Sequence, residues 1–278
     1  SAASDVYKRQ TYACSDFKFK KGLVSATKNS GHTLQIADGL WLDKKFKAAM
    51  MKSIAQSELD RKRFVYSDIG FILLQQVVEA VTGKTLDAYL VSEFYRPMGL
   101  EHTLFQPLNR YKKEDIMPTA ANDYLRRQDL CGYVYDEAAA FMGGVSGNAG
   151  LFSTAQELGK IYQMILNEGE LDGKRYLRPE TCRIFTTEKS AVSHRGLGYD
   201  KPNLKDPKAN ACASSAPASV YGHTGFTGTC TWVDPENDLV YIFLSNRLCP
   251  DAWNGKLNSM KLRQAIQEVI YQSLYTPE

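Results

Sequence analysis

Two runs rich in β-branched and aromatic residues, Thr229–Val233 and Leu239–Leu244, are separated by Asp234-Pro235-Glu236-Asn237-Asp238. That interruption is turn chemistry, so the runs read as adjacent antiparallel strands. A sheet needs a cover for its apolar face. Leu262, Ala265, Ile266, Val269 and Ile270 recur at helical spacing soon afterwards and supply one. Helices dominate earlier in the chain. After Tyr66-Ser67-Asp68, the residues Leu74, Val77, Val78 and Val81 follow the i, i+3, i+4, i+7 spacing of one helix face. Ser67 or Asp68 suits the start of this helix and Gly83 its stop. Further helices are expected over about 44–57, and over 86–95, where Pro97 ends the run. Another follows Leu151-Phe152, where Thr154 and Glu157 form a capping box ahead of Leu158, Ile161, Tyr162, Ile165 and Leu166. The rest of 11–64 reads as polar and irregular. Helices, then a hairpin, then a covering helix make an α/β layout, more narrowly α+β.

Composition narrows the function. The 278 residues carry a net charge of +3 and no concentrated basic run, which argues against a nucleic-acid partner. Phe71-Ile72-Leu73-Leu74 is among the longest apolar stretches and falls far short of the ~20 residues of a membrane span. Cys14, Cys131, Cys182, Cys212, Cys230 and Cys249 are scattered without a CxxC pair and read as incidental thiols. His32, His102, His194 and His223 form no metal-binding pattern, so neither a metal nor another cofactor is expected. Residues 1–10, SAASDVYKRQ, share no periodicity with the chain from Thr11 onward and resemble translated adapter sequence. The native domain is therefore expected over 11–278, as a partial domain without its nucleophile region.

Two segments carry the candidate chemistry. Tyr66-Ser67-Asp68 places a phenol and a carboxylate at a helix start, and His223-Thr224-Gly225-Phe226-Thr227-Gly228-Thr229 leads into a strand. Glycines beside a strand edge let a ligand or another backbone approach closely. Together with the intervening Gly150-Leu151-Phe152-Ser153-Thr154-Ala155, and in this order, they resemble the serine β-lactamase-like family of class C β-lactamases, DD-peptidases and related esterases. The stretches that carry the resemblance lie at 66–103, 143–165 and 221–247. More narrowly, YGHTGFTGT with VYIFLSNR resembles the lactamase-like module found behind a family 3 glycoside hydrolase domain.

The resemblance implies a β-lactamase/transpeptidase-like fold, a central antiparallel sheet flanked by helices plus a mainly helical region. It also implies an acyl-enzyme mechanism in which a Ser-x-x-Lys serine attacks the acyl carbonyl. Tyr66 then relays protons, and His223 takes the position of an electropositive residue. Thr224, Gly225 and Phe226 bind the acyl group, with the Phe226 N–H as an oxyanion donor. Asp68 stands beside this chemistry where many members have asparagine. A carboxylate there raises a tyrosine pKa and repels substrate carboxylates, so ester or amide substrates of lower negative charge are favoured. The implied partners are a small-molecule or glycopeptide-type substrate and an upstream glycoside hydrolase domain. The implied location is the periplasm or cell envelope.

The nucleophile is harder to place. Ser15-Asp16-Phe17-Lys18 and Ser25-Ala26-Thr27-Lys28 match the pattern, but chance yields about 1.4 such matches in this composition. Lys28 runs into Asn29-Ser30-Gly31-His32, which cannot continue a buried helix, and Lys18 sits in an alternating FKFKK run suited to a surface strand. Both read as decoys, which places the catalytic serine upstream and leaves this piece alone inactive. Gly144-Val145-Ser146-Gly147-Asn148 lacks the last glycine of a nucleophile elbow and a preceding strand. A non-catalytic binding or packing module attached to a glycoside hydrolase is the competing reading.

Overall fold

The computed structural model describes residues 14–15, 18–57, 66–187 and 189–275. The adapter-like residues 1–10 and the side chains of Cys14 and Ser15 lie outside that description. The described residues form two compact units. The first takes in residues up to Pro97, Thr103–Phe152 and Cys249–Ala252; the second takes in Met98–His102, Ser153–Leu248 and the residues from Trp253 onward.

The first unit holds a three-stranded antiparallel sheet of β1 (Val24–Ser25), β2 (His32–Ala37) and β3 (Leu40–Asp43), in the order β1-β3-β2. The sequence reading expects irregular chain here. Asp38-Gly39 between two short apolar runs is a hairpin signal, and Gly39 takes a φ of 57°, as such a turn requires. Ile36, Ala37 and Leu42 from these strands are fully buried. Helix α1 (Phe46–Ala55) adds Phe46 and Met50 to the same core. Helix α2 (Ile69–Thr82) ends at Gly83, whose φ of 67° and N–H bond to Glu79 O close it as expected. The next helix, α3 (Leu86–Leu90), runs into a π-helical turn at Val91–Tyr95 ahead of Pro97. Helix α4 (Glu137–Phe141) is capped by Asp136, whose carboxylate accepts the Ala139 N–H at 2.8 Å. Its Phe141 ring meets Phe46 edge-on at 5.2 Å. Strands β4 (Leu104–Phe105) and β5 (Leu151–Phe152) pair antiparallel.

The face of α2 differs from the expectation. Leu74 and Val77 are each 55% exposed and Val81 is 80% exposed, while Ile72 and Gln75 are buried. This helix is apolar on more than one side, and periodicity marks a stripe without saying what covers it. A groove of about 350 Å³ runs beside the stripe, lined by Phe71, Leu74, Val78, Leu90 and Ser146 among others.

In the second unit, helix α5 (Ala155–Leu166) starts at Thr154, whose hydroxyl accepts the Glu157 N–H at 3.3 Å. The reciprocal half of the capping box is used elsewhere. The buried Glu157 carboxylate accepts the N–H groups of Glu101 and His102, each at 2.9 Å. Helix α6 (Pro179–Thr187) comes next. The sheet consists of β6 (Tyr221–Thr224), β7 (Cys230–Asp234) and β8 (Leu239–Phe243), antiparallel in that order. The expected hairpin is thus present, with Asp234 opposite Leu239. Helix α7 (Leu262–Tyr275) buries Gln267, which accepts the Ala213 N–H at 2.8 Å, and Tyr271, which shares a core with Trp232 and Tyr241 of this sheet. The expected stripe is rotated out here too, Ile266 being 40% and Val269 63% exposed. Cys131, Cys182, Cys212 and Cys230 are buried free thiols. Among the described residues no helix is long and apolar enough to cross a membrane.

Candidate active site

In the first unit, Tyr66 stands three residues ahead of α2 and is half-buried. The Ser67 hydroxyl accepts the Ile69 N–H at 3.2 Å. Asp68 occupies the position before the helix, and its backbone carbonyl accepts from Phe71 at 3.0 Å and Ile72 at 3.2 Å. Its carboxylate does not cap the helix. Of the two expected caps, then, Ser67 contributes its side chain and Asp68 its main chain.

In the second unit, His223, Thr224, Gly225 and Phe226 succeed one another along and out of β6, an edge strand of its sheet. His223 pairs with Thr231, and Thr224 with Cys230. Gly222 has no room for a side chain, because a Cβ there would lie 2.0 Å from the Thr231 carbonyl oxygen. At Gly225 a Cβ would press on the Thr229 hydroxyl, Oγ1 at 2.2 Å, which would have to turn away. These glycines permit the close packing that carries β6 into its turn.

That turn is held by its carbonyls. Gly225 O accepts from Gly228 N at 3.1 Å and from Arg263 Nη1 of α7 at 3.3 Å. Arg263 Nη1 also donates to Thr229 O at 2.9 Å. Phe226 O accepts from Arg247 Nε at 2.6 Å, and the Arg247 guanidinium lies 4.4 Å over the Phe226 ring. A trans peptide points its N–H opposite to its C=O. Fixing Gly225 O therefore also fixes the direction of the Phe226 N–H.

His223 has a neighbour the sequence reading does not name. Its Nε2 lies 3.0 Å from Arg195 Nη1, and its Nδ1 lies 2.8 Å from Thr224 O. Arg195 sits in a Ser/Gly-rich loop 28 positions earlier, with no local pattern to mark it. Lys201, at the end of the same loop, is buried. Its ammonium bonds the carbonyl oxygens of Thr186 and Ser219, and burial pushes its pKa down to about 8.

The Ser-x-x-Lys matches do not form a nucleophile helix. Ser25 lies on strand β1, its hydroxyl donating to Thr27 O at 2.8 Å, and Lys28 places its ammonium 5.4 Å over the Trp41 ring. Lys18 is an exposed residue of the short strand Lys18–Phe19. Ser146 is buried in a loop, donating to Asn148 Oδ1 at 2.7 Å.

Comparison with known proteins accords with this fold. The β-lactamase family model matches residues 29–259. A protein of Escherichia coli (strain K12) named "Putative D-alanyl-D-alanine carboxypeptidase" is 38% identical over 197 residues, covering 66% of this chain and 45% of that protein. The chain thus spans about half the length of the curated relatives it matches. The octameric penicillin-binding protein homologue from Pyrococcus abyssi superposes with a TM-score of 0.54 at 18% identity, covering 84% of this chain and 52% of that one. A penicillin-binding protein homolog from Caulobacter crescentus gives 0.50 at 19% identity, covering 73% and 58%. At such identities the structures speak for the fold alone.

Proposed function

The chain belongs to the β-lactamase family, and on that premise we propose that it is part of a serine hydrolase that forms an acyl-enzyme on an ester or amide. The observation that carries this reading is the turn after β6. Arg263 and Gly228 N–H hold Gly225 O, so the Phe226 amide is aimed in advance. A donor fixed before charge develops is what an oxyanion hole requires. His223 and Thr224 lie beside it on an edge strand able to receive an extended acyl group. Tyr66 is the proton relay to the nucleophile and the leaving group, and Asp68 tunes it.

The attacking serine belongs to a Ser-x-x-Lys helix upstream of these 278 residues. Two observations support that placement. Ser25 is a strand residue engaged with Thr27, and α2, directly behind Tyr66, exposes the Leu74, Val77 and Val81 stripe that a further helix would cover. The names of the relatives make peptides ending in D-alanyl-D-alanine one substrate class, whereas Asp68 favours a less anionic acyl donor. Cell-wall or glycan turnover, export to the envelope and an adjoining glycoside hydrolase domain belong to the same proposal.

The test is intact mass after treating the folded chain with a serine-reactive fluorophosphonate. The expected result is no adduct on this chain and one adduct, on the upstream serine, in the longer protein. A single adduct mapped to Ser25 or Ser15 overturns the placement of the nucleophile. A longer protein that stays unlabelled and carries no upstream Ser-x-x-Lys favours a binding module.

A further inference from the structure

The family strand offers a cation at the position of His223, yet its ring contacts with Arg195 and Thr224 fit an uncharged ring. A guanidinium has only donors, and a carbonyl oxygen only accepts. With Arg195 Nη1 at 3.0 Å from Nε2, that nitrogen must present its lone pair. With Thr224 O at 2.8 Å from Nδ1, the ring proton sits on Nδ1. A second proton, on Nε2, would set N–H against N–H.

Arg195 is itself anchored. Asp200 Oδ2 stands 3.5 Å from its Nη2. Asp200 is only 6% exposed, and its other oxygen lies 2.9 Å from His194 Nε2 and accepts the Lys201 N–H at 3.1 Å. The main chain of Asp200 is stitched to β6, donating to Gly222 O at 2.7 Å and accepting from Gly222 N at 3.1 Å. The carboxylate that holds Arg195 is therefore registered one residue away from His223. Arg195 O accepts the Ser190 N–H at 2.7 Å, which closes the loop on itself.

We propose that Arg195, anchored by Asp200, is a positioning residue that holds His223 as its neutral Nδ1–H tautomer and itself carries the positive charge at this end of β6. A guanidinium stays charged at every working pH and presents a planar fork of donors. The pair divides what one lysine would do: the arginine supplies charge, and the histidine supplies a fixed acceptor and donor. The catalytic meaning of the arrangement rests on reading β6 as the acyl-binding strand; the tautomer rests on the geometry alone.

Nitrogen-15 NMR of the histidine rings in this 278-residue chain tests it, with the His223 signals identified by their loss in His223→Asn. The expected wild-type pattern is a protonated Nδ1 and an unprotonated Nε2. Arg195→Ala should shift both nitrogens toward an exchanging mixture of tautomers, and Arg195→Lys, which restores a cationic donor, should return them toward wild type. An Nε2–H tautomer in the wild type overturns the proposal. So does an unchanged pattern in Arg195→Ala when the Gly222 amide remains protected. Should Arg195→Ala fail to fold, the wild-type pattern decides by itself. Because the spectra read no acyl transfer, a chain that proves catalytically inert leaves this outcome standing.

Discussion

Each unit buries a basic side chain, and the two are accommodated by different means. In the first, Arg126 and Asp123 are three residues apart and almost wholly buried, with Nε 3.0 Å from the carboxylate and a further bond from Arg126 Nη1 to Val134 O at 2.7 Å. Opposite charges with their remaining donors satisfied make a local, self-contained pair. In the second, the buried Lys201 ammonium is met by the carbonyl oxygens of Thr186 and Ser219 and lies 5.8 Å over the Tyr221 ring. Dipoles and a ring face replace bulk water less completely than a carboxylate does, so burial lowers this lysine's pKa to about 8. The Arg126–Asp123 site thus depends on pairing and the Lys201 site on pH.

The sharpest way to extend that contrast is to ask what each unit contributes to chemistry. In a longer protein that carries the proposed upstream serine, Tyr66→Phe should slow acyl transfer roughly 10²–10⁴-fold while the melting temperature stays unchanged. Near-wild-type turnover would remove Tyr66 from the mechanism. Next in size, Asp123→Ala strands Arg126 without its partner and should cost about 3–5 kcal/mol in denaturant unfolding. A loss below about 1 kcal/mol would show that the carbonyls of Val134 and Tyr135, which accept from Arg126 Nη1 and Nη2, suffice for the guanidinium.

Lys201→Met probes the other side. With a folded pKa of about 8 against 10.5 for the free side chain, the unfolded chain binds more protons between those values, so wild-type stability gains from rising pH in that window. Relative to Lys201→Met, the wild type should be less stable at pH 7 and should recover on the order of 1–3 kcal/mol between pH 8 and 10.5. Buried thiols such as Cys212, raised to about 12, oppose the trend in each protein alone and cancel in the difference. A flat difference would mean that Lys201 keeps its charge inside. Smallest of all, Val77→Ser on the exposed stripe of α2 should change the stability of this chain by no more than about 0.5 kcal/mol. A loss of about 2 kcal/mol would show that the stripe is covered in solution.

Much of the fold is legible where local chemistry is strong. The stop at Gly83, the cap at Thr154 and the turn between β7 and β8 are each written within a few residues, and the structure keeps them. The sheet of β1, β2 and β3 is harder to see, because its strands are short and Asp38-Gly39 sits among polar neighbours. Helix faces are legible only in part. The stripes of α2 and α7 are real, but the side a helix buries depends on partners distant in sequence, and here Gln75, Gln267 and Tyr271 occupy the inside. The candidate site divides in the same way. Tyr66 and the His223 strand stand out as motifs, whereas Arg195, Asp200 and Arg263 reach the strand through folding and carry no spacing that would mark them.

Asp234 closes the β7–β8 turn by accepting the N–H groups of Glu236 at 2.9 Å and Asn237 at 3.3 Å, while its other oxygen takes the Tyr271 hydroxyl at 2.8 Å. One carboxylate therefore belongs both to a local loop and to a contact 37 residues away. Breaking either half leaves a buried acceptor short of a donor. In the language of native-state hydrogen exchange, the hairpin and the C-terminal half of α7 are expected to behave as one cooperative foldon: their slowest amides should open together, with a single free energy, rather than fray one after the other.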